Sequence, residues 1–377
     1  MAPSKKIKAV NPPARVTISD VADALGVTKS TVSRALNGYP DISERMRRRV
    51  KTAVAELGYR PLAQAQAIRT GRARALGLVL QIDEHDGHRP FLTDFLAGVS
   101  EAASAAMWSL TVSTARSTED TQDTLGRLVE ERKADGFILP RTYIDDPRAA
   151  FLKARGVPFV LYGRTADTSG CAWYDILGER AMEAAVLRLA RLGHRRIAYI
   201  GGGVEYNYSV LRKQGFLDGV HRTGLAVDPS LIAGPAVSSA QGRAEAHRLL
   251  ALETPPTAIV CAVDAAALGV YRAAADLGLR IGSDLSVISY DGIPEGLAVT
   301  PQLTTFAVDN RRAGTRLAEL LIERVEGAEP EELRETERAK LVPGGSDGPP
   351  ARNPAQLAAY LSAMRNVVPD GVEAEQV

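Results

Sequence analysis

The chain has 377 residues, 45% of them hydrophobic and 24% charged, enough for two to three domains with sizeable cores. Two cysteines, Cys171 and Cys261, exclude a disulfide framework or a CxxC zinc site, and no apolar run of about eighteen residues offers a membrane span. The formal charge of +1 hides a division, because residues 1–72 carry a net +9 and the remainder a net −8. A short basic module on an acidic body is suited to a polyanion partner.

The first residues, "MAPSKKIKAVNPPARV", hold lysines with no apolar stretch behind them. They read as a disordered arm over 1–14, not a secretory signal, and the expected location is cytoplasmic. Ile18, Val21, Ala22 and Leu25 recur at helical spacing, Thr17 with Asp20 forms a capping-box start, and Gly26 ends the helix. Thr28 caps a second helix with Val32, Ala35 and Leu36 inward, which Asn37-Gly38 breaks. Ser43 caps a third, with Val50, Val54 and Leu57 inward and Gly58 as its stop. Pro61 opens a short helical segment that Gly71 can end. About two turns of helix are marginal alone, so this element reads either as a helical linker or as one that orders only against a partner.

From Ala75 the texture changes. "ALGLVLQI", "WSLTVSTA", "GFILP", "VPFVLYG", "RRIAYIGG", "TAIVCAV" and "LSVISYD" read as buried strands. Amphipathic helices such as "GERAMEAAVLRLARLGH" lie between them. The alternation predicts an α/β fold with parallel sheets arranged as two similar lobes. After Leu341, "VPGGSDGPPARNP" reads as a flexible loop, and 343–377 as a flexible tail holding one short helix.

The stretch "GVTKSTVSRALNGYPDIS" carries the first functional signal. Thr28, Lys29, Ser30, Thr31, Ser33 and Arg34 crowd the leading part of the second helix, directly after a helix and a tight turn. That order is a helix-turn-helix, whose second helix presents its first side chains to base edges in the DNA major groove. Lys29 and Ser30 are placed to reach bases, and Thr17, Thr28, Ser33 and Asn37 to bond phosphates. Arg34 has the fork to read guanine or clamp a phosphate. A merely solvated helix face would not explain why the same end of the chain is basic.

The segment "VTISDVADALGVTKSTVSRALNGYPDISERMRRRVKTAVAELGYRP" followed by "AIRTGRARALGLVL" closely resembles the lactose-repressor (LacI) family of bacterial transcription factors. The likeness continues more thinly to about residue 342 through "LGHRRIAYIGG", "RKQGF", Asp264 in "CAVDAAALGVYRA" and "LSVISYDGIPEGLAVTPQLTTF". It implies a headpiece over 15–60, a hinge helix and linker over 61–73, and a two-lobed effector domain over 74–342 similar to periplasmic sugar-binding proteins. It also implies homodimers on palindromic double-stranded operators, with a small molecule, a sugar, as effector. "RTGRARALGLVL" and "FLTDFLAGV" lean toward members handling α-glucosides. Ile68 matches the residue that such hinge helices wedge into the minor groove.

By the same resemblance Arg212 in "VLRKQGF" and Asp291 in "SYDG" correspond to the ligand-binding arginine and aspartate. A guanidinium and a carboxylate offer sugar hydroxyls paired donors and acceptors. Phe91 matches a cleft-edge aromatic, Tyr206 and Tyr208 precede Arg212 closely enough to line the same site, and Arg164 in "LYGR" is a further candidate. Three places depart from the family pattern. Leu62 and Gln64 stand in the hinge, and Leu177-Gly178 and Val263-Asp264 replace a common Asp-Asn and Asn-Asp.

"IGGGV" at Ile200–Val204 fits neither a dinucleotide fingerprint nor a P-loop and reads as a tight turn. "DEHDGH" (Asp83–His88) has ligand-type residues but nothing to complete a metal site, and reads as a solvated loop. No nucleophile–base pair stands out, so neither catalysis nor a cofactor is expected. Two rival classes remain: a sugar carrier or transport receptor, and a nucleotide-using α/β enzyme.

Overall fold

The computed structural model describes residues 16–59, 72–81 and 91–367, in two compact units that meet between Ala73 and Arg74. The arm at 1–14, the helical segment at 61–69 with Ile68, and the loop at 83–88 lie outside the described residues.

The first unit is three helices, α1 (Ile18–Leu25), α2 (Lys29–Leu36) and α3 (Glu44–Leu57). Its small core is Val21, Ala22, Val32, Ala35, Val50 and Ala53, and each fully buried valine contributes roughly 1.5–3 kcal/mol. Gly26, at φ 66°, ends α1 in the left-handed conformation a side chain would resist. There Val27 N–H donates to Ala22 O at 3.0 Å, turning the chain into α2. One inward residue differs from expectation. Leu57 is 38% exposed, and Ala53 and Tyr59 fill the stripe instead. After Gly58 the chain folds back, with Tyr59 N–H donating to Val54 O, so Tyr59 covers the end that Leu57 was expected to cover.

The second unit has two lobes. The first lobe begins β1 (Ala75–Gln81), α4 (Phe91–Ala105), β2 (Ser109–Ala115), α5 (Thr118–Glu130), β3 (Gly136–Leu139), α6 (Pro147–Ala154), β4 (Phe159–Tyr162) and β5 (Ala172–Ile176). The chain then crosses to α7 (Gly178–Arg191), β6 (Ile197–Ile200), α8 (Asn207–Arg222), β7 (Ile232–Ala233), α9 (Ser239–Leu250), β8 (Ala258–Cys261), α10 (Asp264–Asp276), β9 (Ser286–Asp291), α11 (Glu295–Ala298) and β10 (Thr304–Ala307). It returns for α12 (Asn310–Glu326) and β11 (Arg334–Glu337), and crosses again to β12 (Lys340–Val342) and α13 (Pro354–Val367). The sheets run β11-β5-β4-β3-β1-β2 and β12-β10-β9-β8-β6-β7. Their pairs are parallel except β10 with β12. All seven stretches read as buried strands are strands, but β2, at the edge of its sheet, is mostly exposed or half-buried where burial was expected. In sheets of this kind ligands bind outside the carboxyl ends of the strands, which here are the loops after β3, β4, β6, β8 and β9.

Residues 343–367, expected as a flexible tail, are instead packed. Leu357 is fully buried and Leu361 nearly so, both in the core of the second lobe. Ser346 is buried, accepting from Thr304 N–H at 2.8 Å and donating to Val287 O at 2.6 Å. Asp347 pairs with Arg188 and accepts from the Thr304 hydroxyl at 2.6 Å. Polar composition hid this, because the strap is held by hydrogen bonds before the apolar face of α13 docks.

The same strap encloses His194. Its ring lies 2.8 Å from Thr257 Oγ1, 3.1 Å from Ser286 Oγ and 2.9 Å from Gly348 O. Burial pulls this imidazole below its usual value, with the Gly348 carbonyl and Asp347 opposing. A group held neutral in the fold destabilises it wherever the unfolded chain takes up a proton that the folded one refuses. The cost begins as pH falls below the ordinary imidazole value of about 6.5. We expect stability to fall more steeply between pH 6.5 and 5 in the wild type than in His194→Asn. Urea denaturation across that range checks this, and parallel slopes would refute it.

Candidate nucleic-acid interface and effector cleft

On α2, Lys29, Ser30, Ser33 and Arg34, with Asn37 at its end, fall within an arc of about 140°, opposite buried Val32 and Ala35. Lys29, Ser30 and Arg34 are exposed. No acid stands in the first turn of this helix, so its N-terminal partial positive charge and Lys29 act together on an approaching anion.

Several hydroxyls expected to meet phosphate also hold the fold. Thr17 Oγ1 donates to Asp20 Oδ2 at 2.8 Å and accepts from Asp20 N–H. Thr28 Oγ1 accepts from Thr31 N–H at 3.1 Å and shares a hydrogen with the Thr31 hydroxyl. Asn37 Nδ2 donates back to Ser33 O at 2.6 Å. Arg34 pairs with Asp41 at 2.6 Å and lies over the Tyr39 ring. Such an exposed pair is worth little, so a nucleic-acid group can displace Asp41.

In the second unit, Arg212 projects from the first turns of α8. Its Nη1 donates to Ala262 O, at the end of β8, at 2.6 Å. Its guanidinium lies 3.8 Å from the Tyr290 ring centre and 4.6 Å from that of Tyr208. Nη2 stands 3.7 Å from Asp291 Oδ1, with 11% of the arginine and 35% of the aspartate side chain exposed. Buried Nε finds no acceptor among the described residues. Gly178 makes room for this: a Cβ there would lie 2.9 Å from Arg212 Nε. The departure at Leu177-Gly178 therefore has a local physical reason.

Asp291 ends β9 at φ 124°, a conformation that costs of order 1–3 kcal/mol and persists only when its surroundings impose it. Asp264 imposes it. This buried carboxylate accepts from Gly292 N–H at 2.7 Å, Ile293 N–H at 3.0 Å and the Thr305 hydroxyl at 2.7 Å. Burial pushes the Asp291 carboxyl up to about 7; Arg212 pulls it down and the Asp264 charge pushes it up again. Asp264 was legible as a carrier of the family resemblance and as the surviving half of an expected Asn-Asp pair, with no role attached.

The remaining candidates divide. Arg164 is committed to Asp175 at 2.6 Å and Glu179 at 2.7 Å, so it braces the lobe crossing. Tyr208 flanks Arg212, and Tyr206 stacks on Tyr208 at 5.7 Å. Phe91 is the first residue of α4. Tyr143 and Arg141, not singled out by the sequence, also reach this group: Tyr143 stacks on Tyr206 at 5.1 Å and Arg141 lies over the same ring. An aromatic just past a strand end, in "LPRTYIDD", was the available signal. Among the described residues no group of three or more His, Cys, Asp or Glu side chains could hold a metal ion, and no helix is long and apolar enough to cross a membrane.

A helix-turn-helix unit joined in sequence to a two-lobed body whose strand ends hold an incompletely partnered arginine and aspartate defines a ligand-responsive DNA-binding protein. Residues 17–61 match the family model "Bacterial regulatory proteins, lacI family", and 186–346 match "Periplasmic binding protein-like domain". The HTH-type transcriptional regulator AglR of Rhizobium meliloti (strain 1021) is 35% identical, over 90% of this chain and 96% of that relative. RafR of Escherichia coli is 30% identical over 88% and 98%. The solved "transcriptional regulator CelR-cellobiose complex" is similar over 88% of this chain and all of that one, at TM-score 0.68 and 29% identity. The lac repressor dimer bound to operator and the anti-inducer ONPF is similar over 89% and 100%, at TM-score 0.74 and 25% identity. The chain belongs to the LacI family: it is a DNA-binding transcriptional regulator, and the enzyme and transport-receptor alternatives give way.

Because the Thr17 hydroxyl caps α1, Thr17→Ala should cost the first unit about 1 kcal/mol, the usual value of an N-cap. Thermal unfolding of the first unit, followed by hydrogen exchange of α1, measures it; unchanged protection would contradict the capping role.

Proposed function

We propose that this regulator is a cytoplasmic, homodimeric repressor of carbohydrate-utilisation genes, released from a palindromic operator when a small sugar enters the cleft of its second unit. The observation that carries the reading is the Arg212–Asp291 pair: a half-paired buried guanidinium from α8 facing a carboxylate carried on the strained backbone at the end of β9. Together they offer the donors and acceptors that vicinal hydroxyls need. The cellobiose bound to CelR and the operator bound to the lac repressor support it by similarity. Lys29 and Ser30 read bases; Arg34 reads guanine or holds a phosphate. Thr17, Thr28, Thr31, Ser33 and Asn37 bond the backbone, and Ile68 wedges the minor groove. Phe91 and Tyr208 border the sugar; Tyr206 stands beside Tyr208, and Arg164 stays with Asp175 and Glu179. Effector binding shifts the population from an operator-competent to an incompetent state.

A gel shift on operator DNA with cellobiose and α-glucosides tests the whole reading. Arg212→Ala and Asp291→Ala should still bind operator and lose effector affinity roughly tenfold to a hundredfold, the effect of removing a charged hydrogen-bond partner. An effector hydroxyl donating to Asp291 favours its ionised form. Wild-type affinity should therefore rise as pH increases through about 7, and Asp291→Asn should flatten that dependence. Variants that respond to sugar like the wild type would remove the pair from the site.

Lys29→Ala should change the ranking of operator variants, because a base contact carries sequence information and a phosphate contact does not. Footprints with unchanged preferences would assign Lys29 to the backbone.

A further inference from the structure

The triple glycine Gly201–Gly203 lies beneath a ladder of rings. A Cβ on Gly202 would stand 2.8 Å from the Tyr208 ring, and one on Gly203 would stand 3.0 Å from that of Tyr206. Bare backbone is what lets both tyrosines lie flat here. From this floor the ladder runs across the lobes. Arg212 lies over Tyr208, Tyr208 stacks on Tyr206 at 5.7 Å and 14°, and Tyr206 stacks on Tyr143 at 5.1 Å and 30°. Arg148 lies 5.0 Å from the Tyr143 ring centre. Tyr143 follows β3 in the first lobe, whereas Tyr206 precedes α8 in the second.

The last rung is anchored. Arg148 is buried and donates to both oxygens of Asp146, at 3.0 and 2.7 Å, and to Pro140 O and Arg141 O, each at 3.1 Å. Around the Tyr143–Tyr206 contact the backbones also join: Ile144 N–H donates to Glu205 O and Asn207 N–H to Thr142 O, both at 3.1 Å. With two stacked rings and the Arg141 guanidinium, Tyr206 is fully engaged. A sugar ring could take its place beside Tyr208 and Arg212 only by displacing it.

We propose that Tyr206, stacked on Tyr143, is an inter-lobe latch that holds the effector-free cleft together and sets the affinity an effector must have to enter. The ligand half of this rests on the carbohydrate reading above; the latch itself does not.

The test uses the full-length protein. Without sugar, hydrogen exchange in Tyr143→Ala should quicken at least tenfold in peptides bearing the Ile144 and Asn207 amides, while β6 (Ile197–Ile200) keeps its wild-type rate. Tyr143→Phe, which keeps the ring, should behave as wild type, and Tyr206→Ala should repeat the result from the other lobe. Unchanged exchange in both alanine variants overturns the latch. In titrations with cellobiose and methyl α-glucoside, the alanine variants should bind roughly threefold to tenfold tighter, the equivalent of one lost stacking contact. Weaker binding would make Tyr206 a ligand contact and overturn its role as a competitor. Failure of every protein to bind either sugar would sink the carbohydrate reading, and the exchange comparison would still decide the latch.

Discussion

A guanidinium taken out of water must be given partners, because an uncompensated buried charge costs several kcal/mol. Arg212 is such a group, and the second lobe is arranged around it. The end of β8 supplies the Ala262 carbonyl, β9 supplies the Tyr290 face and Asp291, and α8 adds Tyr208. Position 178 is emptied so that the side chain can pass. None of these partners saturates it, since Asp291 stands at 3.7 Å and Nε has no acceptor among the described residues. Unspent hydrogen-bonding capacity at the carboxyl ends of parallel strands is what a polar ligand requires.

Asp291 depends in turn on Asp264. The strained backbone at 291 is held by a carboxylate that accepts two amides and a hydroxyl from the residues just beyond and the neighbouring strand. Burial raises both carboxyl groups above the usual carboxylate range, and the Asp264 charge adds to the rise at Asp291. Asp291 thus titrates near neutrality, raised by burial and drawn back down by Arg212.

The headpiece solves a different problem with similar economy. Its apolar core is six small residues, so its helices need their caps. Thr17 and Thr28 supply them, and each exposed hydroxyl can turn its hydrogen from Asp20 or Thr31 to a phosphate oxygen. The same residues that end the helices therefore stand where a phosphate would meet the helix N-termini.

Much of this was legible along the chain. The caps at Thr17, Thr28 and Ser43, the glycine stops and the six buried strands follow from local spacing, because each is fixed by contacts within a few residues or by burial on both faces; edge strand β2 followed from its alternation alone. Arg212 and Asp291 were found through resemblance. Other features were not legible. Arg334–Glu337 is wholly polar and becomes β11 only because β5 offers an edge to pair with. Residues 343–367 dock because Val287, Thr304 and His194 present partners from distant parts of the chain. Tyr143 meets Tyr206 because two lobes bring separate strand ends together. The sequence by itself determined the elements and the chemistry each can perform. Which polar groups share a site was decided only by tertiary structure, because hydrogen bonds and ring stacks between residues far apart in the chain leave no periodicity in it.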